Sequence, residues 1–167
     1  MQLWKKMKDL MVTGKLTVGK GANLFGFDKL GNLVPVGVGV VEARAAASEL
    51  TSAENGKTIL LNSTTAFATT LPLPFLGGSF KFVVAAVPGS GSHTVVTNGS
   101  ANIIKGSVSS ADLNAASDSA IATGADTIGF VTAKTVAGDY VELVSDGTSW
   151  FMSGNCSVFD AITQAAT

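Results

Sequence analysis

Short runs in which apolar and polar residues alternate recur along the chain from Thr51 onward. This period of two is typical of half-buried β-strands, and Gly, Asn, Asp and Pro separate the runs as they separate paired strands. The pattern predicts an all-β fold over residues 51–160, an antiparallel β-sandwich of the jelly-roll type. The predicted strands are Thr58–Leu61, Phe67–Leu71, Phe80–Ala85, Thr94–Thr97, Asn102–Ile104, Thr127–Thr132, Tyr140–Ser145 and Thr148–Ser153.

The clearest turn signal is Asp146-Gly147, which stands between two alternating runs. Asp-Gly favours a two-residue type I′ hairpin, in which Leu143 faces Trp150 and Val141 faces Met152 on one buried side. The other side of this hairpin is only partly polar, so we expect another subunit or the N-terminal arm to cover it. Its residues are Tyr140, Glu142, Val144, Ser149 and Phe151.

The first 50 residues have a different pattern, which predicts an extended arm that begins with a short amphipathic helix. Apolar residues recur there at helical spacing among lysines. A helix this short is marginal alone in water, so we expect it to be ordered only against another surface. Extended runs follow at residues 16–18, 24–27 and 33–36, and Pro35 favours a sheet edge for the last of them. The apolar positions of the helix are Leu3, Trp4, Met7, Leu10 and Met11.

Three further segments complete the predicted organisation. The alanine-rich run from Glu42 to Leu50 predicts a helix of one or two turns. The Ser, Ala, Asp and Gly residues of Ser107–Ala125 lack apolar mass and predict a long exposed loop. Residues 161–167 are predicted to form a C-terminal tail. No repeat with a period of about 20 to 50 residues is present, which disfavours a solenoid.

Composition narrows the classes of function. The chain has 167 residues, of which 46% are hydrophobic and 14% are charged, with a formal net charge of -1. This near-neutral balance argues against non-specific nucleic-acid binding, and no apolar run is long enough to cross a membrane or to serve as a secretory signal. The charge is unevenly distributed, since residues 1–29 hold six lysines and two aspartates and the remainder holds five cations and ten anions.

Motifs for catalysis are weak, and the sequence predicts a protein without enzymatic activity, metal or cofactor. The run from Gly14 to Lys20 has P-loop spacing, but Gly21 stands where the magnesium-binding hydroxyl is needed. The single histidine, His93, follows a Gly/Ser turn without a nucleophile elbow, so we expect it to be an exposed loop residue. The single cysteine, Cys156, is predicted to be a small buried side chain. The carboxylates are scattered among turns and strand ends, so we expect them to stabilise turns and keep the surface polar and not to form the catalytic pair of a glycosidase.

Three stretches resemble virion proteins of tailed bacteriophages. They are the run Glu54-Asn55-Gly56-Lys57-Thr58-Ile59-Leu60-Leu61, the run Phe80-Lys81-Phe82-Val83-Val84, and the closing run Ala137-Gly138-Asp139-Tyr140-Val141-Glu142-Leu143-Val144-Ser145-Asp146-Gly147-Thr148-Ser149-Trp150. The Leu71-Pro72 turn and the Thr-Val-Val-Thr strand at Thr94 to Thr97 add to the likeness. Similar β domains occur in capsid decoration (cement) proteins and in head or tail fibres, and the likeness covers residues 51–154.

The resemblance implies a non-enzymatic homotrimer on the capsid surface of a virion, where it binds the major capsid protein and clamps neighbouring capsomers. From the charge balance and the short apolar runs we expect no nucleic-acid or membrane partner. The alternative is a receptor- or glycan-binding module of a tail or head fibre, although a fibre is expected to have a long repetitive shaft. A hydrolase of the cell envelope is a third class and needs a cleft with converging acids.

The basic arm is the predicted attachment surface. Docking on a partner protein is favoured for its helix, ahead of packing on its own domain or subunit and of binding an anionic membrane. An extended segment that orders on docking can cover a large area and reach more than one neighbour. The predicted partner-binding residues are Leu3, Trp4, Lys5, Lys6, Met7, Lys8, Phe25, Phe27, Val34 and Val36.

Overall fold

Strands dominate the computed structural model, which describes residues 17–18, 25–27, 33–35, 40–112 and 120–166. Two short 3₁₀ turns, Ser52–Glu54 and Asn98–Ser100, are the helical elements of these residues. The strands in chain order are β1 (Thr17–Val18), β2 (Phe25–Phe27), β3 (Leu33–Pro35), β4 (Val41–Arg44), β5 (Ser48–Glu49), β6 (Thr58–Asn62), β7 (Ala68–Thr70), β8 (Leu76–Ala86), β9 (His93–Val96), β10 (Ile104–Ser110), β11 (Ala120–Ala125), β12 (Thr127–Phe130), β13 (Tyr140–Asp146), β14 (Trp150–Cys156) and β15 (Ile162–Ala165).

The strands form three sheets. A seven-stranded sheet has the order β11-β10-β14-β13-β8-β6-β4, and a five-stranded sheet has the order β15-β12-β9-β7-β5. A small third sheet, β1-β2-β3, is antiparallel throughout and pairs Phe25 with Pro35 and Phe27 with Leu33. The all-β prediction is therefore confirmed.

The antiparallel part of that prediction is wrong for both large sheets, which are mixed. Five strand pairs are parallel: β4–β6, β6–β8, β5–β7, β7–β9 and β10–β14. From β4 to β9 the chain alternates between the two sheets. Each strand from β6 onward pairs in parallel with the preceding strand of the same sheet. The structure does not confirm the jelly-roll order of strands, because a jelly roll is an antiparallel architecture.

This alternation makes β4 to β9 a short two-sheet coil, although the absence of a repeat disfavoured a solenoid. The turns of the coil differ in length. The chain advances 17 residues from Val41 to its partner Thr58, 23 from Thr58 to its partner Lys81, and 26 from Ala68 to its partner Thr94. A winding without a fixed period leaves no periodic signal in the sequence.

The two large sheets enclose one hydrophobic core. Side chains at alternate positions of each strand face inward, as the burial of Ile59 and Leu61 in β6 and of Val141 and Leu143 in β13 illustrates. The largest fully buried side chains come from both sheets and from the loops between them. They are Trp150, Phe80, Phe82, Phe130, Leu50, Ile59, Leu61, Leu71, Ile104, Ile128, Leu143 and Ile162.

Three segments differ from their predicted structure. The predicted helix from Glu42 to Leu50 is instead β4, a bend and β5, because main-chain pairing with β6 and β7 outweighs the helical propensity of its alanines. The predicted loop Ser107–Ala125 contains the end of β10 and all of β11, which pair as an antiparallel hairpin. Small polar side chains do not prevent this pairing, since Val108 and Ala125 supply buried contacts. β15 lies in the stretch assigned to a C-terminal tail.

Four charged side chains close the β4 edge of the seven-stranded sheet. Glu42 and Arg44 pair in register with Ile59 and Leu61, so they lie on the inward face of the sheet. The Lys57 ammonium lies 2.6 Å from a carboxylate oxygen of Glu42 and 3.2 Å from one of Glu54, and Arg44 donates to both carboxylates. Charges that point inward at an edge strand discourage the addition of further strands.

This network predicts a loss of stability in acid. The hydrogen bond from Lys57 lowers the pKa of Glu42 below its ordinary 4.5. Burial acts to raise the pKa of Glu54, but the Thr51 amide, Lys57 and Arg44 outweigh it and the pKa is lowered. A carboxylate with a lowered pKa stabilises the fold above its unfolded-state pKa, and this contribution is lost as pH falls through the folded-state pKa. The free energy of unfolding should therefore decrease below about pH 4.5.

Urea unfolding between about pH 3 and pH 7 measures this effect. The double variant Glu42→Gln/Glu54→Gln should reduce the acid-dependent loss by about 1 kcal/mol, a modest figure because the side chains are partly exposed and salt screens them. Glu142→Gln, in an exposed ion pair elsewhere on the sheet, is the matched control and should keep the wild-type pH dependence. An unchanged acid slope in the double variant would contradict the assignment.

Candidate interaction surface

The outer face of the seven-stranded sheet is formed by the residues that alternate with the core positions. In β13, Val141, Leu143 and Ser145 are buried, so the residues between them lie on the outer face. The predicted separation of the hairpin into a buried and an outer side is confirmed, apart from Ser149, which is buried.

The predicted register of this hairpin is wrong by two residues. Leu143 pairs with Met152 and Ser145 with Trp150, which leaves a four-residue loop, Asp146–Ser149, in place of a two-residue turn. A carboxylate oxygen of Asp146 accepts hydrogen bonds from the Ser149 and Thr148 amides, both at 2.8 Å. These amides and the Thr148 hydroxyl lower the pKa of Asp146. The same hydrogen bonds stabilise the four-residue loop.

One corner of this outer face is apolar and exposed. Val144 and Phe151 are register partners on β13 and β14, with exposed fractions of 53% and 45%. Leu76, which pairs with Asp146 at the start of β8, is 84% exposed. We call these three residues, Leu76, Val144 and Phe151, the apolar corner. Exposed side chains of this size that lie together are typical of an interaction site.

The centre of the face carries an ion pair, and a further lysine lies beside it. The Lys81 ammonium lies 2.7 Å from a Glu142 carboxylate oxygen and 4.3 Å from the centre of the Tyr140 ring. Lys105, the register partner of Phe151 on β10, donates a 3.2 Å hydrogen bond to the Ser149 hydroxyl. The part of the face formed by β10 and β14 presents small exposed polar residues, namely Ser107, Ser109, Ser153 and Asn155.

The predicted attachment residues lie mainly outside the residues that the structure describes. Phe25 and Phe27 lie in β2 and Val34 in β3, so the third sheet brings their backbones together. The remaining predicted positions, Leu3, Trp4, Lys5, Lys6, Met7, Lys8 and Val36, lie outside the described residues, and so does the predicted helix. Sequence reasoning did not identify Leu76, because no periodic signal distinguishes it within the Leu-Pro-Leu-Pro-Phe-Leu run.

His93 is buried, so the prediction of an exposed loop histidine is wrong. Its Nε2 atom lies 3.1 Å from the Ser63 carbonyl oxygen and 3.2 Å from that of Ala86, so Nε2 carries the proton and donates. Its Nδ1 atom accepts a 3.4 Å hydrogen bond from the Phe67 amide, and the two rings lie 4.4 Å apart. His93 therefore joins the loop after β6 to the end of β8 and the start of β9.

Replacement of His93 should destabilise the fold. His93→Ala removes the ring contact, the hydrogen bond to the buried Phe67 amide and the hydrogen bonds to two partly buried carbonyls, at a cost of about 3 kcal/mol. His93→Gln, which keeps a donor and an acceptor, should recover part of this loss. Urea unfolding measures both variants, and a loss below about 1 kcal/mol for His93→Ala would contradict the structural role.

The other candidate groups do not form a site together. Cys156 is buried as predicted, and burial raises the pKa of its thiol. Asp139 is buried and accepts hydrogen bonds from the Val136 and Ser157 amides, which fixes the loops at one end of β13 and β14. Within the described ranges, no three His, Cys, Asp or Glu side chains are placed to hold a metal ion. No helix of the described residues is long and apolar enough to span a membrane.

Comparison with known protein families and with curated proteins finds no match for this chain.

Proposed function

We propose that this protein is a structural component of a bacteriophage virion, which binds the outer surface of the capsid and stabilises it as a decoration protein. The observation that carries the proposal is the resemblance of residues 51–154 to β domains of phage virion proteins. The residues of that resemblance supply β6, β8 and the β13–β14 hairpin, which are neighbours in the seven-stranded sheet.

The proposed mode of action is mechanical. The basic part of the arm, residues 1–36, attaches to the major capsid protein, and the β domain, which includes β4 and β5, stays outside the shell as an oligomer. Attachment of many copies, each reaching more than one capsomer, opposes the outward pressure of packaged DNA. The six lysines in residues 1–29 favour an acidic surface on the shell.

The two-sheet coil of β4 to β9 favours a second candidate, a fibre module. Parallel winding between two sheets is the way in which β-solenoid shafts extend, and the coil gives the chain a short shaft-like portion. A fibre module would bind a receptor or glycan through loops, and an aromatic residue is expected there for stacking on sugars. The loop of residues 88–92 before β9 contains none, so we rank this function second.

The number of copies per particle distinguishes the two functions. Quantitative mass spectrometry of purified particles should give a copy number for this chain comparable to that of the major shell protein. A handful of copies per particle would favour the fibre, and absence from purified particles would contradict both functions. A glycan array with the purified protein is the complementary measurement, since polysaccharide binding is expected only of the fibre module.

A further inference from the structure

We propose that the outer face of the seven-stranded sheet is a self-association surface, and that its occupant is a second copy of this chain. The apolar corner supplies its anchors, and the neutral centre of Lys81 and Glu142 supplies its polar contacts. The inference does not depend on whether the particle carries the protein on its head or its tail.

The face is large enough for a stable contact. Seven strands at about 4.8 Å spacing and about six residues of rise along each strand give a surface of about 30 Å by 20 Å. The solvent-accessible area of the face is larger than this flat area, because side chains project from the sheet. A specific interface of standard size buries about 800 Å² per partner, so this face can supply most or all of one side.

The apolar corner provides the favourable free energy of such a contact. Val144 and Phe151 are adjacent on neighbouring strands and are about half exposed, while Leu76 is almost fully exposed. Each gains by removal from water, and a few large side chains carry most of the binding energy in protein interfaces. Half-buried Tyr140 and Val83 are register partners at the other end of β13, beyond the Lys81–Glu142 pair, and add apolar area to the same face.

The charge distribution favours a second copy as the occupant. Residues 40–112 and 120–166 hold five cations and nine anions, but the outer face holds two of each, Lys81 and Lys105 with Glu142 and Asp146. The face is therefore neutral, and the four excess negative charges of this part of the chain lie elsewhere. Two copies can approach through this face without net repulsion, and Lys81 and Glu142 can exchange partners across the contact.

Sedimentation velocity of the full chain over a concentration series tests this proposal. We expect the wild type to associate, and Val144→Asp and Phe151→Asp each to weaken association by about tenfold or more, because each buries an unpaired charge. Val136→Asp is the matched control, since Val136 is 43% exposed but lies in the loop before β13. It should associate as the wild type does.

Circular dichroism and urea unfolding must show that the variants are folded. If the aspartate variants unfold, Val144→Thr and Phe151→Thr replace them in the same measurement, because threonine is a good strand former. A wild type that stays monomeric throughout, or face variants that associate normally, would overturn the proposal. Loss of shell binding by face variants of a monomeric wild type would assign the face to the shell instead.

Discussion

Gly106→Ala is expected to destabilise the protein by about 3 kcal/mol or more, or to prevent folding altogether. Gly106 lies in β10 with φ +131, in a backbone region that L side chains rarely adopt. A Cβ atom there would lie 1.9 Å from the Met152 carbonyl oxygen on β14. That oxygen belongs to the main chain of a central strand, so it cannot move aside without breaking the parallel pairing of β10 with β14.

The measurement is urea unfolding of the variant beside a matched glycine control. Gly89→Ala changes a glycine with no atom within 4 Å of the added Cβ, and it should leave the free energy of unfolding within about 0.5 kcal/mol of wild type. The difference between the two variants isolates the close approach of β10 to β14. Equal effects of the two substitutions would show that β10 does not pair with β14 in this way.

Deletion of residues 1–30 is expected to abolish attachment to capsids while the β domain stays folded. Among the described residues, β1, β2 and β3 pair only with one another, so the seven- and five-stranded sheets do not need them for their own pairing. Cosedimentation of the truncated protein with empty heads measures attachment, and circular dichroism with urea unfolding measures the fold. Full occupancy by the truncated protein would overturn the proposed role of the arm.

Two smaller changes separate the apolar from the charged contribution of the arm. Trp4→Ala removes the largest apolar side chain of the predicted helix, and its effect on attachment should persist at high salt. Replacement of Lys5, Lys6 and Lys8 by serine should weaken attachment most at low salt, because screening already suppresses their contribution in concentrated salt. Both variants keep the full chain length, so they also control for the loss of thirty residues.

The sequence predicts local structure in this protein better than it predicts strand pairing. Alternation identifies β6, β8, β12 and β13 because their inward positions are large and apolar. The direction of pairing depends on which sheet each strand joins, and that is decided by contacts far apart in the sequence. The sequence therefore does not predict the parallel coil of β4 to β9, and its alanine-rich run predicts a helix where the structure has β4.

The candidate surface was predictable in part for the same reason. The alternation of apolar and polar residues in the hairpin places Val144 and Phe151 on its outer side. A register shift of two residues does not change the side on which a residue lies, so this assignment survives the error in register. Leu76 and the burial of His93 did not follow, because both depend on tertiary position: His93 begins β9 and donates to the carbonyls of two other segments. The register of the hairpin was missed because the Asp146 carboxylate stabilises a four-residue loop that the Asp-Gly pair alone does not indicate.

Localisation in a density map of the intact particle tests the central claim most directly. The account predicts many copies of the β domain on the outside of the head, each joined to the shell by its lysine-rich N-terminal segment and with that segment in contact with the capsid protein. Density for the chain at the tail alone, or an N-terminal segment packed wholly on its own subunit with no contact to the shell, would contradict it.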